Sequence, residues 1–150
     1  MRRRAWAVAV LLGLLGSVPS IARAQDLSAD GKVQLGRNFP NPFNPETFIP
    51  FQLKAELFIG GQRPIVSLKV FNVLAQLVAV PIVQGSGEKL ENAALEWNGT
   101  GDYTAYWDGK IQGSGREAAS GVYVYQLVVQ WNQDGKGYVK TTSNKMTVMK

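Results

Sequence analysis

Through most of the chain, apolar and polar residues alternate in short runs, with Gly, Asn, Asp and Pro between them. A period of two places side chains on opposite faces of a strand, and no stretch keeps the 3.6-residue period of a helix. Thr47–Lys54 sets Ile49, Phe51 and Leu53 on one face, and Pro50, unable to donate to a ladder, predicts an edge strand or pairing on one side only. Ile65–Phe71 predicts a strand with Val66, Leu68 and Val70 inward and Ser67 and Lys69 outward. A turn over Asn72–Gln76 leads into Leu77–Val83, which Pro81 interrupts; weaker strands are expected around Ala93–Trp97 and Tyr103–Trp107.

The strongest run is Val122–Trp131, with Tyr123, Tyr125, Leu127 and Val129 sharing one face and Gln126 and Gln130 opposite. Asn132–Gly135 reads as a hairpin turn, because Asn, Asp and Gly accept positive φ, and Gly137–Met149 is then the final strand. These runs predict an all-β chain, an immunoglobulin-like antiparallel β-sandwich of about seven strands.

The first 24 residues break the pattern. Arg2, Arg3 and Arg4 precede the 14 residues Ala5–Val18, which are almost all apolar, Pro19 and Ser20 end the stretch, and Ala22 and Ala24 suit the −3 and −1 subsites of signal peptidase. Residues 1–24 are expected to be a signal peptide cleaved before Gln25, leaving no integral membrane span, since 14 residues fall short of the ~20 that cross a bilayer. Residues 25–37 are polar without sustained period and read as a short linker, with the domain proper over 38–150.

That division changes the meaning of the charge. The net +5 includes Arg2, Arg3, Arg4 and Arg23; without them 12 basic residues face 11 acidic ones, a net of +1. A nucleic-acid surface on the folded part is therefore not expected. The chain has no Cys and no His, which excludes disulfides, thiolate or imidazole metal ligands, a Cys nucleophile and the Ser-His-Asp arrangement.

The remaining candidate chemistry is thin. Glu88, Glu91 and Glu96 offer carboxylates for glycoside hydrolysis, but their segment is polar and supplies no apolar pocket to raise a pKa. Asp108-Gly109 with Gly113 and Gly115 lacks the alternating oxygen ligands of a Ca²⁺ loop and reads as a turn. Asn98-Gly-Thr100 fits a glycosylation acceptor. Trp97, Tyr103, Trp107 and Trp131 could line a sugar platform, though such residues more often fill a sandwich core or its rim. In Asn41-Pro-Phe-Asn-Pro45 each proline fixes φ and pushes the preceding Asn out of the helical region, so the segment reads first as a rigid lead into the first strand. Enzyme activity, a metal and a cofactor are not expected.

Several motifs occur in an order that resembles one family. They are Asn38–Thr47, containing Asn41, Pro42 and Phe43, with Ile49, Phe51 and Leu53; Val66–Leu74; Trp107-Asp108-Gly109-Lys110; Ser120–Leu127, containing Gly121, Tyr123, Tyr125 and Leu127; and Lys145–Lys150, containing Met146. Together they resemble the C-terminal sorting domain of the type IX secretion system, which is related to the immunoglobulin-like domain of flagellar hook-capping proteins. The resemblance departs from the family at Ala75, where a turn glycine is usual, and at 84–102, which matches no family motif.

The resemblance implies a non-enzymatic domain of a Gram-negative bacterium. Such a domain passes through the periplasm to the cell surface or medium, is recognised by the outer-membrane type IX translocon, and is often removed by a sortase-like peptidase. In that terminal motif Met146 and Val148 are expected to hold the last strand in the sheet, and Lys145 and Lys150 to stay solvated, since lysines are rarely buried unpaired. The alternatives are a free-standing structural or adhesive module that binds a surface partner through an edge strand, and a carbohydrate-binding module.

Overall fold

The computed structural model describes residues 31–150; the signal-peptide reading of 1–24, with its subsites Ala22, Ala24 and Gln25, and the first part of the supposed linker lie outside them. Among the described residues, nine strands form two antiparallel sheets packed as a sandwich: β1 (Val33–Leu35), β2 (Thr47–Leu53), β3 (Ile65–Phe71), β4 (Leu77–Ala79), β5 (Ile82–Val83), β6 (Ala93–Ala94), β7 (Asp102–Trp107), β8 (Gly121–Gln133) and β9 (Lys136–Val148). One sheet runs β1-β2-β7-β5 and the other β4-β3-β8-β9, with β6 also on β3.

The alternation decides the faces. Ile49, Phe51 and Leu53 from β2, Val66, Leu68 and Val70 from β3, and Tyr125, Leu127 and Val129 from β8 are all buried between the sheets. Leu127 sits opposite Leu68 in the register, so the two long apolar strands meet at the centre of the core. Ser67, expected outward, is also buried: its hydroxyl accepts from the Asn92 N–H at 2.9 Å.

Four further sequence expectations change. Residues 33–35 are not linker; they form β1, which pairs with Leu53–Phe51 and buries Val33. Accordingly β2 is not an edge strand, since β1 lies on one side and β7 on the other. Pro50 fits because it falls where the first side changes partner. Its carbonyl accepts from Gly36 N–H at 2.8 Å, and Phe48 then exchanges bonds with Phe39, so the missing proline N–H points into the gap between these pairings.

The Leu77–Val83 run is two strands rather than one. β4 pairs with β3 and β5 with β7, so Pro81 marks the point where the chain changes sheets. The hairpin turn is also shorter than expected. The ladder continues to Gln133↔Lys136, leaving a two-residue turn of Asp134 (φ 52°) and Gly135 (φ 74°), the positive-φ pair that the twist of a tight hairpin demands.

Residues 84–102 complete the outer edge of β3. β4 pairs with its end and β6 with its start, and between them the Leu68 N–H donates to the Leu90 carbonyl at 2.9 Å. Leu90 and Leu95 anchor this segment in the core. Short 3-10 turns within Ala55–Gly61, broken at Ile59 and Gly60 and announced by no periodicity, bury Leu57.

Candidate recognition surface at the C-terminal strand

Among the described residues β9 ends its sheet with only β8 as a ladder partner, leaving its other edge outward. At its end that edge is met by the Asn41–Phe43 segment. The Phe43 N–H donates to the Thr147 carbonyl at 3.0 Å, the Met149 N–H donates to the Phe43 carbonyl at 3.0 Å, and the Thr147 N–H donates to the Asn41 Oδ1 at 3.0 Å. Phe43 thus bridges Val148 in parallel, a one-residue extension of the sheet.

Side chains reinforce that closure. Phe43 is buried and packs edge-on against Trp107 at 5.5 Å between centroids; Trp107 packs in the same manner on Tyr123 at 5.9 Å. Edge-to-face rings gain beyond their burial because a positive ring edge meets a negative face. Tyr123 in turn stands opposite Met146, which is buried together with Val148. The Trp107 Nε1–H donates to the Lys110 carbonyl at 3.0 Å, and the Asp108 Oδ1 accepts from the Lys110 N–H at 3.0 Å, which shapes the turn after β7. Gly109, at φ 77°, lies directly on the Pro45 carbonyl.

The final residues are held at the surface. Lys145 and Lys150 are both exposed. The Lys150 Nζ pairs with Glu117 at 2.8 Å, and its N–H donates to the Ser120 Oγ at 3.0 Å. This cation holds the Glu117 carboxyl below its ordinary range. Gly121 opens β8 opposite Val148.

The structure therefore brings Asn41, Phe43, Trp107, Asp108, Gly109, Gly121, Tyr123, Met146 and Lys150 to one end of the sandwich, with Lys145 at its margin. Pro42 is exposed between Asn41 and Phe43. Tyr125 and Leu127 lie farther along β8 in the core. The buried Tyr125 hydroxyl donates to the Gly36 carbonyl at 2.8 Å and accepts from the Asn38 N–H at 3.1 Å, tying the chain after β1 to β8. Burial raises the pKa of this phenol above 10.0. Glu117, Ser120 and Thr147 also belong to this end. They were missed because their roles come from pairings between residues far apart in the chain, with no local spacing to report them.

The weaker candidates disperse. Tyr103, Trp107 and Trp131 are buried, and Trp97 lies against Phe58 at 5.1 Å, so these four rings form no common platform. Glu88 and Glu96 line an open cleft of about 540 Å³, where Glu96 is paired with Arg63 at 2.5 Å, while Glu91 pairs with Lys89 at 3.7 Å. Asn98 organises its own loop: its Oδ1 accepts from the Thr100 and Gly101 N–H groups at 3.1 and 2.8 Å. Among the described residues no group of acidic side chains is placed to hold a metal ion, and no helix is long and apolar enough to cross a membrane.

No protein-family model matches the chain, and no curated protein matches it.

Proposed function

We propose that the chain is an exported, non-enzymatic sorting module that directs passage across the outer membrane by the type IX route, presenting its C-terminal strand to the translocon. One observation carries the reading. Residues from four separate motifs, Asn41 and Phe43, Trp107, Tyr123, and Thr147 to Met149, converge on the last strand and fix its backbone. A receptor that reads a C-terminal segment needs that segment held in one conformation, because ordering a loose end on binding costs affinity. The ends of Lys145 and Lys150 remain at the surface for such a receptor. Removal by a sortase-like peptidase after passage belongs to the same reading.

The test is a periplasmic reporter fused ahead of Gln25–Lys150, a span that keeps β1 with its sheet, in a host that possesses the type IX system. The fusion is expected outside the cell or on its surface, and in the periplasm of the same host without the translocon. Retention in the periplasm of the competent host favours the second reading, a structural or adhesive module, for which the outward edge of β9 is the supporting feature.

A further inference from the structure

The edge of β9 that Phe43 covers at Val148 continues uncovered toward the hairpin. Thr147 directs its N–H and carbonyl away from β8, to Asn41 and Phe43. By the two-residue period of the strand, Lys145, Ser143, Thr141 and Val139 direct theirs the same way. Among the described residues nothing takes up these groups. A row of unpaired donors and acceptors is a template for another strand.

Charge selects which strand. An open cleft of about 450 Å³ lies where the edge meets the chain before Phe43, lined by Arg37, Asn41, Ser143, Asn144 and Lys145. It holds two cations, two amides and a hydroxyl, and no carboxylate. Among the described residues neither Arg37 nor Lys145 has an ion pair. A second copy's β9 would bring its own Lys145 to this edge as like charge, whereas an acidic strand brings the opposite.

We propose that β9 between Val139 and Lys145 binds an extended acidic segment of a partner protein as an added strand, with Arg37 and Lys145 holding its carboxylates. Main-chain bonds to Thr141, Ser143 and Lys145 give the strand its register, and the cleft gives it its charge preference. This rests on the reading of the C-terminal end as a recognition surface and names the chemistry of what it recognises. The test below uses purified protein and no secretion host, so its failure would leave the export experiment standing.

The probe is a fluorescent heptapeptide, Thr-Val-Glu-Val-Glu-Val-Thr, titrated against the full chain by anisotropy, with a version carrying lysine at both glutamates. Two further versions are methylated on alternate amides, one in each phase. The acidic peptide is expected to bind about tenfold or more tighter than the lysine peptide at low salt, and to weaken as salt rises. Arg37→Gln with Lys145→Gln, both exposed, should reduce its affinity about fivefold or more without altering the fold. One methylation phase should abolish binding and the other preserve it. In amide NMR spectra the shifts should fall on Thr141, Ser143 and Lys145. Absence of binding up to about 1 mM, equal affinity for the two charges, or equal effects of both methylation phases overturns the proposal.

Discussion

Gly109 packs so closely on Pro45 that a β-carbon at 109 would collide with the Pro45 carbonyl oxygen. Those two residues join the turn after β7 to the chain ahead of β2, next to Trp107 and Phe43. Gly109→Ala combines a positive φ with a collision against backbone and is expected to cost about 2 kcal/mol or more. Gly113 has a similar φ of 80° but open space around it, so Gly113→Ala should cost only about 1 kcal/mol. Urea unfolding of the two variants checks the difference; equal losses would mean that the contact with Pro45 contributes nothing.

Ala75 occupies φ 59° in the turn between β3 and β4, where its N–H donates to the Asn72 carbonyl at 3.0 Å. A β-carbon in the left-handed region costs about 1 kcal/mol, so Ala75→Gly should raise stability by roughly 0.5–1 kcal/mol despite the greater freedom of glycine in the unfolded chain. A loss of stability in thermal unfolding would contradict this account of the turn.

Tyr125 links stability to alkaline pH. Burial raises its pKa above the unfolded value of 10.0, and burial raises that of Tyr103 as well. For a raised group the folded protein keeps its proton longer than the unfolded chain. Stability is thus whole below pH 10 and falls as pH rises through the higher folded-state values. Tyr125→Phe leaves the Asn38 N–H without its acceptor and the Gly36 carbonyl with the Asn144 amide alone, at 3.3 Å, a loss of about 1–3 kcal/mol at neutral pH. The same variant should show a shallower decline above pH 10, measured as unfolding free energy against pH; an unchanged slope would remove Tyr125 from the explanation.

The reading of residues 1–24 as a signal peptide offers an independent check of the proposed export. Because Ala22 and Ala24 fit the peptidase subsites, protein recovered from the periplasm or medium is expected to begin at Gln25. Intact mass measures this directly, and a species retaining residues 1–24 would contradict it.

The sandwich was legible because long strands advertise themselves: Tyr123, Tyr125, Leu127 and Val129 recur at every second position with Gln126 and Gln130 on the opposite face, and every one of those inward positions is buried. β1 was not, since Val33-Gln-Leu35 is three residues inside polar sequence and gains its strand character only from Leu53 and Phe51. The sheet change at Pro81 showed in the sequence as an interruption, without its direction. At the C-terminal end the residue types were all visible, but their meeting was not. Phe43 and Val148 are brought together by topology, and its residue composition gives the Asn41–Pro45 segment the appearance of a rigid lead into β2 alone. Ala93-Ala94 became a strand because Ile65 and Val66 lie beside it, a partner that the pattern of two small residues cannot announce.

The central claim is that sorting information sits at the fixed end of β9, and surface charge offers the cleanest way to disturb it. Lys145 and Lys150 are exposed, so Lys145→Glu with Lys150→Glu should leave the core and the melting curve nearly unchanged, although the second change loses the pair with Glu117. The decisive measurement is protease accessibility of the reporter fusion on intact cells of a type IX host, wild type against this double variant. The account predicts an accessible wild-type fusion and a folded, protected, periplasmic variant; equal accessibility of the two would contradict it.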